Sequence, residues 1–256
     1  MKHSEHTQTS LPEDIAIKIA SFLELPDLCA LGCCSRFWRE LCRSDFIWKS
    51  LSRKRWPFLS LFDDSESIDP EFPHIIDPSF KGWRSFYIKQ HTEMSRRALS
   101  VIKFVEESSP ADSLEVGDYL KAIEDMSLMQ LGFEDVLIFL FKPRLSVLHN
   151  LVALHYCINW LQVPATYVLE ALQSCEISER QVCVRWWKLG RWFYGFRMRD
   201  ESHSRWVCLA DLATAKEEEV LAVLHRGAVH EVLRVQISMA NSTSSPWSSQ
   251  STPRLG

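Results

Sequence analysis

The side chains in this chain that could do chemistry begin with its cysteines and histidines. Four cysteines crowd one stretch, Cys29, Cys33, Cys34 and Cys42, and a second group joins His149, His155 and Cys157. Thiolate and imidazole are the donors a zinc ion selects, so both groups invite a metal reading. Their spacing argues against it. "CxxxCC" lacks the paired short intervals of a zinc site, and steps of six and two cannot place all three donors of the second group on one helix face. Both groups are read as buried core thiols and imidazoles, with no metal ligands and no cofactor. Catalysis finds no motif either. There is no GxxxxGK, GxGxxG, GxSxG or HExxH, and with eight glycines in 256 residues a phosphate-cradling loop is not expected. The chain is read as a non-enzyme.

A third group is aromatic and basic. Residues 180–206 carry seven Arg or Lys against Asp200 and Glu201, a balance of +5, interleaved with Trp186, Trp187, Trp192, Phe193, Tyr194, Phe196 and Trp206. Such interleaving can hold nucleic acid through phosphates and stacking, which supports an alternative function: a nuclear nucleic-acid or chromatin binder acting through residues 180–210. The favoured reading is a sheet with one buried aromatic face and one solvated basic face, serving as a protein-binding surface, so a nucleic-acid partner is not expected. The segment also looks loosely similar to Tudor-like small barrels. That resemblance implies an aromatic cage for methylated lysine, with Trp187, Trp192, Tyr194 and Trp206 as the ligand-binding residues.

The elements that must position these groups follow from pattern. At 46% hydrophobic and 24% charged residues the chain is globular in composition, and its net charge of −4 exerts no global pull on polyanions. Residues 1–10 form a polar leader without signal-peptide character. The longest apolar run, Val136–Phe141, is far too short for a membrane span, so a cytoplasmic and/or nuclear protein is expected. "SLPE" predicts a helix start with Ser10 as cap, followed by Ile15, Ile19, Phe22 and Leu23 at helical spacing. Asp27, Ser35 and Ser44 open three further short helices carrying Leu28 and Leu31, Trp38 and Leu41, and Ile47, Trp48 and Leu51. Four helices in some forty residues make a thin bundle. Apolar burial at about 25 cal/mol per Å² barely offsets ordering entropy of about 1.5 kcal/mol per residue, so the bundle needs a neighbour.

The stretch 11–51 resembles an F-box. Leu11, Pro12 and Asp14 match its opening and Ile15, Ile19 and Leu23 its apolar helix positions. Asp27-Leu28, the "CSRFWREL" block with Arg36, Trp38 and Leu41, a closing Trp48-x-x-Leu51 and the trailing "RKRWP" complete the match. The resemblance covers about a sixth of the chain. It implies docking onto the Skp-type adaptor of a cullin–RING ubiquitin ligase through Leu11, Pro12, Ile15, Ile19, Leu23, Leu28, Trp38, Leu41 and Trp48. The remainder would recruit an unknown protein substrate. Ala16, Ala20 and Gly32 are smaller than the family's usual residues and are expected to trim the contact area with the adaptor.

The predicted fold is α+β: an F-box helical bundle at 11–56, an acidic and Pro-rich linker at 57–80, a helical region at 81–178 and a β-rich domain at 179–238. A disordered Ser/Thr-rich tail at 239–256 would follow. A helix from Trp83 carries Tyr87, Met94, Ala98, Val101, Ile102 and Val105 on one stripe, and further helices centre on "YLKAIEDM", "FEDVLIFLF", "LSVLHNLVALHYCINWL" and "PATYVLEALQS". The strands "VCVRWWKL", "RWFYGFRMR" and "RWVCLADL" are expected to pair in that order as a three-stranded antiparallel meander or small barrel. "KEEEVLAVLHRG" then forms a helix ended by Gly227, and "EVLRVQI" a last strand.

Overall fold

The computed structural model describes residues 11–57, 59, 81–227 and 231–239. Ser10, most of the 57–80 linker and the tail beyond Met239 lie outside the described residues. The chain divides into two compact units, Met1–Glu93 and Met94–Gly256, each with its own hydrophobic core.

In the first unit, helices α1 (Glu13–Ser21), α2 (Leu25–Cys34), α3 (Arg36–Leu41) and α4 (Asp45–Arg55) meet the opening turns of α5 (Trp83–Ser108). Pro12 holds the cap position of α1, two residues later than the predicted cap, while Ser35 caps α3 as expected by accepting the Trp38 N–H. Ala16, Ala20, Leu28, Leu41, Ile47, Trp48, Trp56 and Tyr87 form the core. Trp48 satisfies its indole by donating to the Cys42 carbonyl at 2.7 Å and sets its ring edge-to-face on Tyr87, with centroids 5.4 Å apart. The Asp45 carboxylate accepts the Trp83 N–H at 3.0 Å. Trp83, Phe86 and Tyr87 thus supply, from within the chain, part of the neighbour that the thin bundle needs.

In the second unit, α5 from Met94 packs with α6 (Val116–Leu128), α7 (Phe133–Phe139), α8 (Val147–His155), α9 (Ala165–Ser174), α10 (Leu209–Ala213) and α11 (Glu218–Arg226). They share one core with an antiparallel sheet made of β1 (Ser113–Glu115), β2 (Gln181–Lys188), β5 (Glu201–Cys208) and β6 (Val232–Met239) in the order β1-β6-β2-β5. The helical and β-rich segments, distinct in period, are therefore not distinct in core. The stripe expected on α5 is buried at Met94, Ala98, Val101 and Val105, and Gly227 ends α11 with φ +67°. Cross-strand neighbours share a face, so Val182, Val184 and Trp186 of β2 line up with Val207 of β5 and with Val235 and Ile237 of β6 on the buried side.

Three expectations change. β1, only three residues long, escaped the pattern reading although it pairs with β6. "LADL" leaves the strand and becomes α10, capped by Cys208, whose sulfur accepts the Asp211 N–H at 3.3 Å. Most important, "RWFYGFRMR" is not the middle strand. It folds on itself as a two-stranded ribbon, β3 (Trp192–Phe193) against β4 (Phe196–Arg197), so β2 pairs directly with β5. Tyr194 and Gly195, with φ of +48° and +83°, form the left-handed two-residue turn that suits a tight hairpin. There is no half-buried strand here: residues 191–200 are all exposed.

Candidate functional site

Helix α1 buries its small apolar residues and leaves Ile15 and Ile19 at the surface. Ala16 and Ala20, one turn apart, are the residues it buries, against α3 and α4. The small side chains let α1 lie close to its neighbours. The larger residues point away: Ile15 and Ile19 are 46% and 45% exposed, Phe22 is 80% exposed, and Leu11 and Pro12 continue the surface. A self-sufficient bundle would gain about 1.5–3 kcal/mol for each Ile or Phe turned inward. This one leaves them outside, as an apolar strip along one helix.

The remaining expected anchors sit behind that strip. Leu28, Leu41 and Trp48 are core residues of the bundle, and Leu23 and Trp38 are half-buried and packed against that core. Ala16 and Ala20, expected to trim a contact surface, are fully inside and shape the bundle instead. Phe37 was not singled out by sequence. It is exposed, stands edge-to-face on Trp38 at 5.3 Å, and lines a groove of about 400 Å³ with Glu13, Ile17, Arg36, Glu40, Leu41 and Ser44. Phe46 is a further exposed aromatic on the same bundle. The signal for Phe37 was its place beside Trp38 on a two-turn helix too short to bury both rings. What these surfaces offer is non-directional apolar attraction rimmed by Glu13, Arg36 and Glu40.

The four expected ligand-binding aromatics are spread over the sheet and its ribbon. Trp187 on β2 carries the Arg234 guanidinium over its ring at 5.2 Å, and Arg234 in turn holds the Glu115 carboxylate. Trp206 lies opposite Cys183, four residues along β2 from Trp187, while Trp192 and Tyr194 belong to the ribbon. No two of these four rings are in contact among the described residues; Tyr194 instead meets Phe193 edge-to-face at 4.5 Å.

The thiols and imidazoles also have definite places. Cys42, Cys157 and Cys183 are buried, but Cys29, Cys33 and Cys34 are exposed, contrary to expectation, because α2 buries only Leu28 and turns its cysteines outward. His149 accepts from Ser146 Oγ at 2.6 Å and donates to the Ile102 carbonyl at 3.2 Å, and burial lowers its pKa. His155 Nδ1 is hydrogen-bonded to the Tyr119 hydroxyl. Burial first, and His225 next, push its pKa down to about 3. Burial likewise raises the Cys157 thiol far above its ordinary value. These groups are held neutral in an apolar interior, and no cluster of three or more His, Cys, Asp or Glu able to hold a metal occurs among the described residues. No helix of the described residues is long and apolar enough to cross a membrane.

Comparison with known proteins points to the N-terminal unit. Residues 8–54 match the family model described as F-box-like. The chain is 32% identical over 96 residues to F-box/WD repeat-containing protein 7 of Drosophila melanogaster, covering 36% of this chain and 7% of that protein. It is 31% identical over 84 residues to F-box only protein 4 of Bos taurus, covering 31% of this chain and 22% of the relative. Against F-box only protein 4 of Homo sapiens it is 30% identical over 86 residues, covering 32% and 22%. The chain therefore spans less than a quarter of the length of these relatives. No solved structure matches it.

Proposed function

Since this chain belongs to the F-box protein family, we propose that it is the substrate-recruiting subunit of a cullin–RING ubiquitin ligase. In this reading the strip of Leu11, Pro12, Ile15, Ile19 and Phe22 docks onto helices of an Skp-type adaptor, and the adaptor links the chain to cullin and RING subunits. Leu28, Leu41 and Trp48 act from behind, by holding α1 in place, and Leu23 and Trp38 border the contact. The second unit presents a surface to a protein substrate, and the ubiquitin-transfer chemistry belongs to the bound conjugating enzyme.

One observation carries the reading: α1 buries Ala16 and Ala20 and exposes Ile15 and Ile19. That arrangement leaves apolar area for a partner, and buried aliphatic anchors dominate such contacts. Capture of the full chain by purified Skp-type adaptor tests it. Wild type is expected to bind, and Ile15→Asp with Ile19→Asp is expected to weaken binding at least tenfold while leaving the circular-dichroism melt unchanged. A folded wild-type chain that the adaptor does not retain would sink the assignment.

A further inference from the structure

The ribbon and the edge strand next to it form an exposed surface that adaptor docking does not use. β5 is the outermost strand of the sheet, paired only to β2 among the described residues. Its pairing with β2 runs through eight residue pairs without a bulge, and its sequence, ESHSRWVC, holds neither the Pro nor the Lys that commonly guards an edge. Its outer row of backbone N–H and C=O groups is therefore open to another extended chain. Arg205 and Trp206 lie on opposite faces of β5, since they pair with Val184 and Cys183, so a chain laid beside it would pass side chains by both.

The ribbon leading into β5 raises Trp192 at 73% exposure and Tyr194 at 88%, with Phe193, Phe196 and Met198 also exposed. A cluster of this size is rare on a surface that stays in water. It is also built to stand in place. Gly190 carries no Cβ where one would come within 2.0 Å of the Met198 carbonyl oxygen, and its N–H donates to Asp200 at 2.8 Å. Asp200 also accepts from Arg197 at 3.0 Å.

Charge decides the kind of partner. Lys188, Arg191 and Arg197 each lie 3.0–3.3 Å from a carboxylate, of Glu219, Glu231 and Asp200 respectively. A polyphosphate following this surface would meet those carboxylates, which disfavours nucleic acid. Arg199, just before β5, and Arg205, within it, have no ion pair among the described residues. Arg199 and Arg205 are separated along the strand edge with the exposed Glu201 between them, a spacing that matches a few separate acidic side chains better than a continuous polyanion.

We propose that β5 and the 190–200 ribbon bind an extended, acidic segment of a partner protein by strand addition. Backbone pairing to β5 gives register, the ribbon aromatics give apolar anchoring, and Arg199 and Arg205 select acidic side chains. The inference deepens the substrate-receptor reading, on which it rests for the partner being a ligase substrate.

The test is selection of a phage-displayed library of random twelve-residue peptides on the full chain, followed by fluorescence anisotropy with the selected peptides. Enriched peptides are expected to be acidic and free of central proline. They should bind Trp192→Ala with Phe196→Ala at least tenfold more weakly. The Arg199→Glu, Arg205→Glu chain should reject them and select basic peptides instead, a gain that only a folded protein can give. Enrichment of neutral or basic peptides by wild type, or no enrichment, overturns the proposal. So does tight retention of a twelve-nucleotide oligothymidylate that the aromatic variants lose, or dimerisation by light scattering that they abolish. Adaptor capture is measured on the same preparations. Loss of peptide selection with capture intact removes this surface alone, whereas loss of capture with selection intact removes the ligase reading and leaves the peptide site standing.

Discussion

Arg55 illustrates how much of the first unit depends on single side chains that sequence cannot rank. It ends α4, yet it is buried, donating to the Tyr87 hydroxyl at 3.0 Å and meeting His91 Nδ1 at 2.7 Å, with its guanidinium 4.8 Å above the Trp56 ring. Removing it strips Tyr87 of a donor in a dry site and takes away the stacking. Arg55→Ala is therefore expected to lower unfolding free energy by about 2–4 kcal/mol, and Arg55→Lys by less, because lysine keeps the charge without the planar fork. Denaturant titration measures both. In the sequence Arg55 is one of four Lys or Arg between residues 49 and 55. Nothing local marks it as the one of the four that is buried. Trp48 was legible because a large ring in a short helix must be housed somewhere. Phe37 was not, since adjacent aromatics on a two-turn helix do not reveal which one faces out.

At the scale of elements, α1 and the ribbon each depend on a small residue at one position. Ala16 is fully enclosed, so Ala16→Leu is expected to overpack the bundle by about 1–3 kcal/mol, whereas Ile15→Ser next to it should change stability by no more than about 0.5 kcal/mol. Thermal melts of the two variants decide whether α1 lies as described; the reverse order would turn the helix around. Gly190→Ala would set a Cβ on the Met198 carbonyl and force the ribbon to open, an expected loss of about 1–3 kcal/mol with faster amide exchange confined to residues 189–200. Helix positions were legible along the chain because their period of 3.6 persists over several turns. The ribbon differs from the expected middle strand because alternation in "RWFYGFRMR" is satisfied equally by one long strand or by two short ones, and only Gly195, at the turn, separates the cases. β1 was invisible since three residues carry no period. The α+β class survived these errors because it depends on the long segments alone.

At the scale of the whole molecule, free energy depends on pH through groups that the fold keeps from ionising. His155 has a folded pKa of about 3, well below the ordinary histidine value. As pH falls below about 6.5 the unfolded chain takes up a proton that the folded chain refuses, so stability is fully present above that pH and declines toward pH 3. The loss from this group between pH 7 and pH 5 is about 2 kcal/mol, at about 1.4 kcal/mol per pH unit. His149, also lowered, acts in the same direction. Denaturant titrations at both pH values should therefore show wild type losing about 2 kcal/mol more than His155→Phe; equal losses would clear His155 of the effect. The paired isoleucines of α1 have a further consequence. On the proposed reading, a copy synthesised without the adaptor keeps that sticky strip in water, exposed to chaperones and to self-association from the moment it leaves the ribosome. Its soluble yield is accordingly expected to rise when the adaptor is made in the same cell.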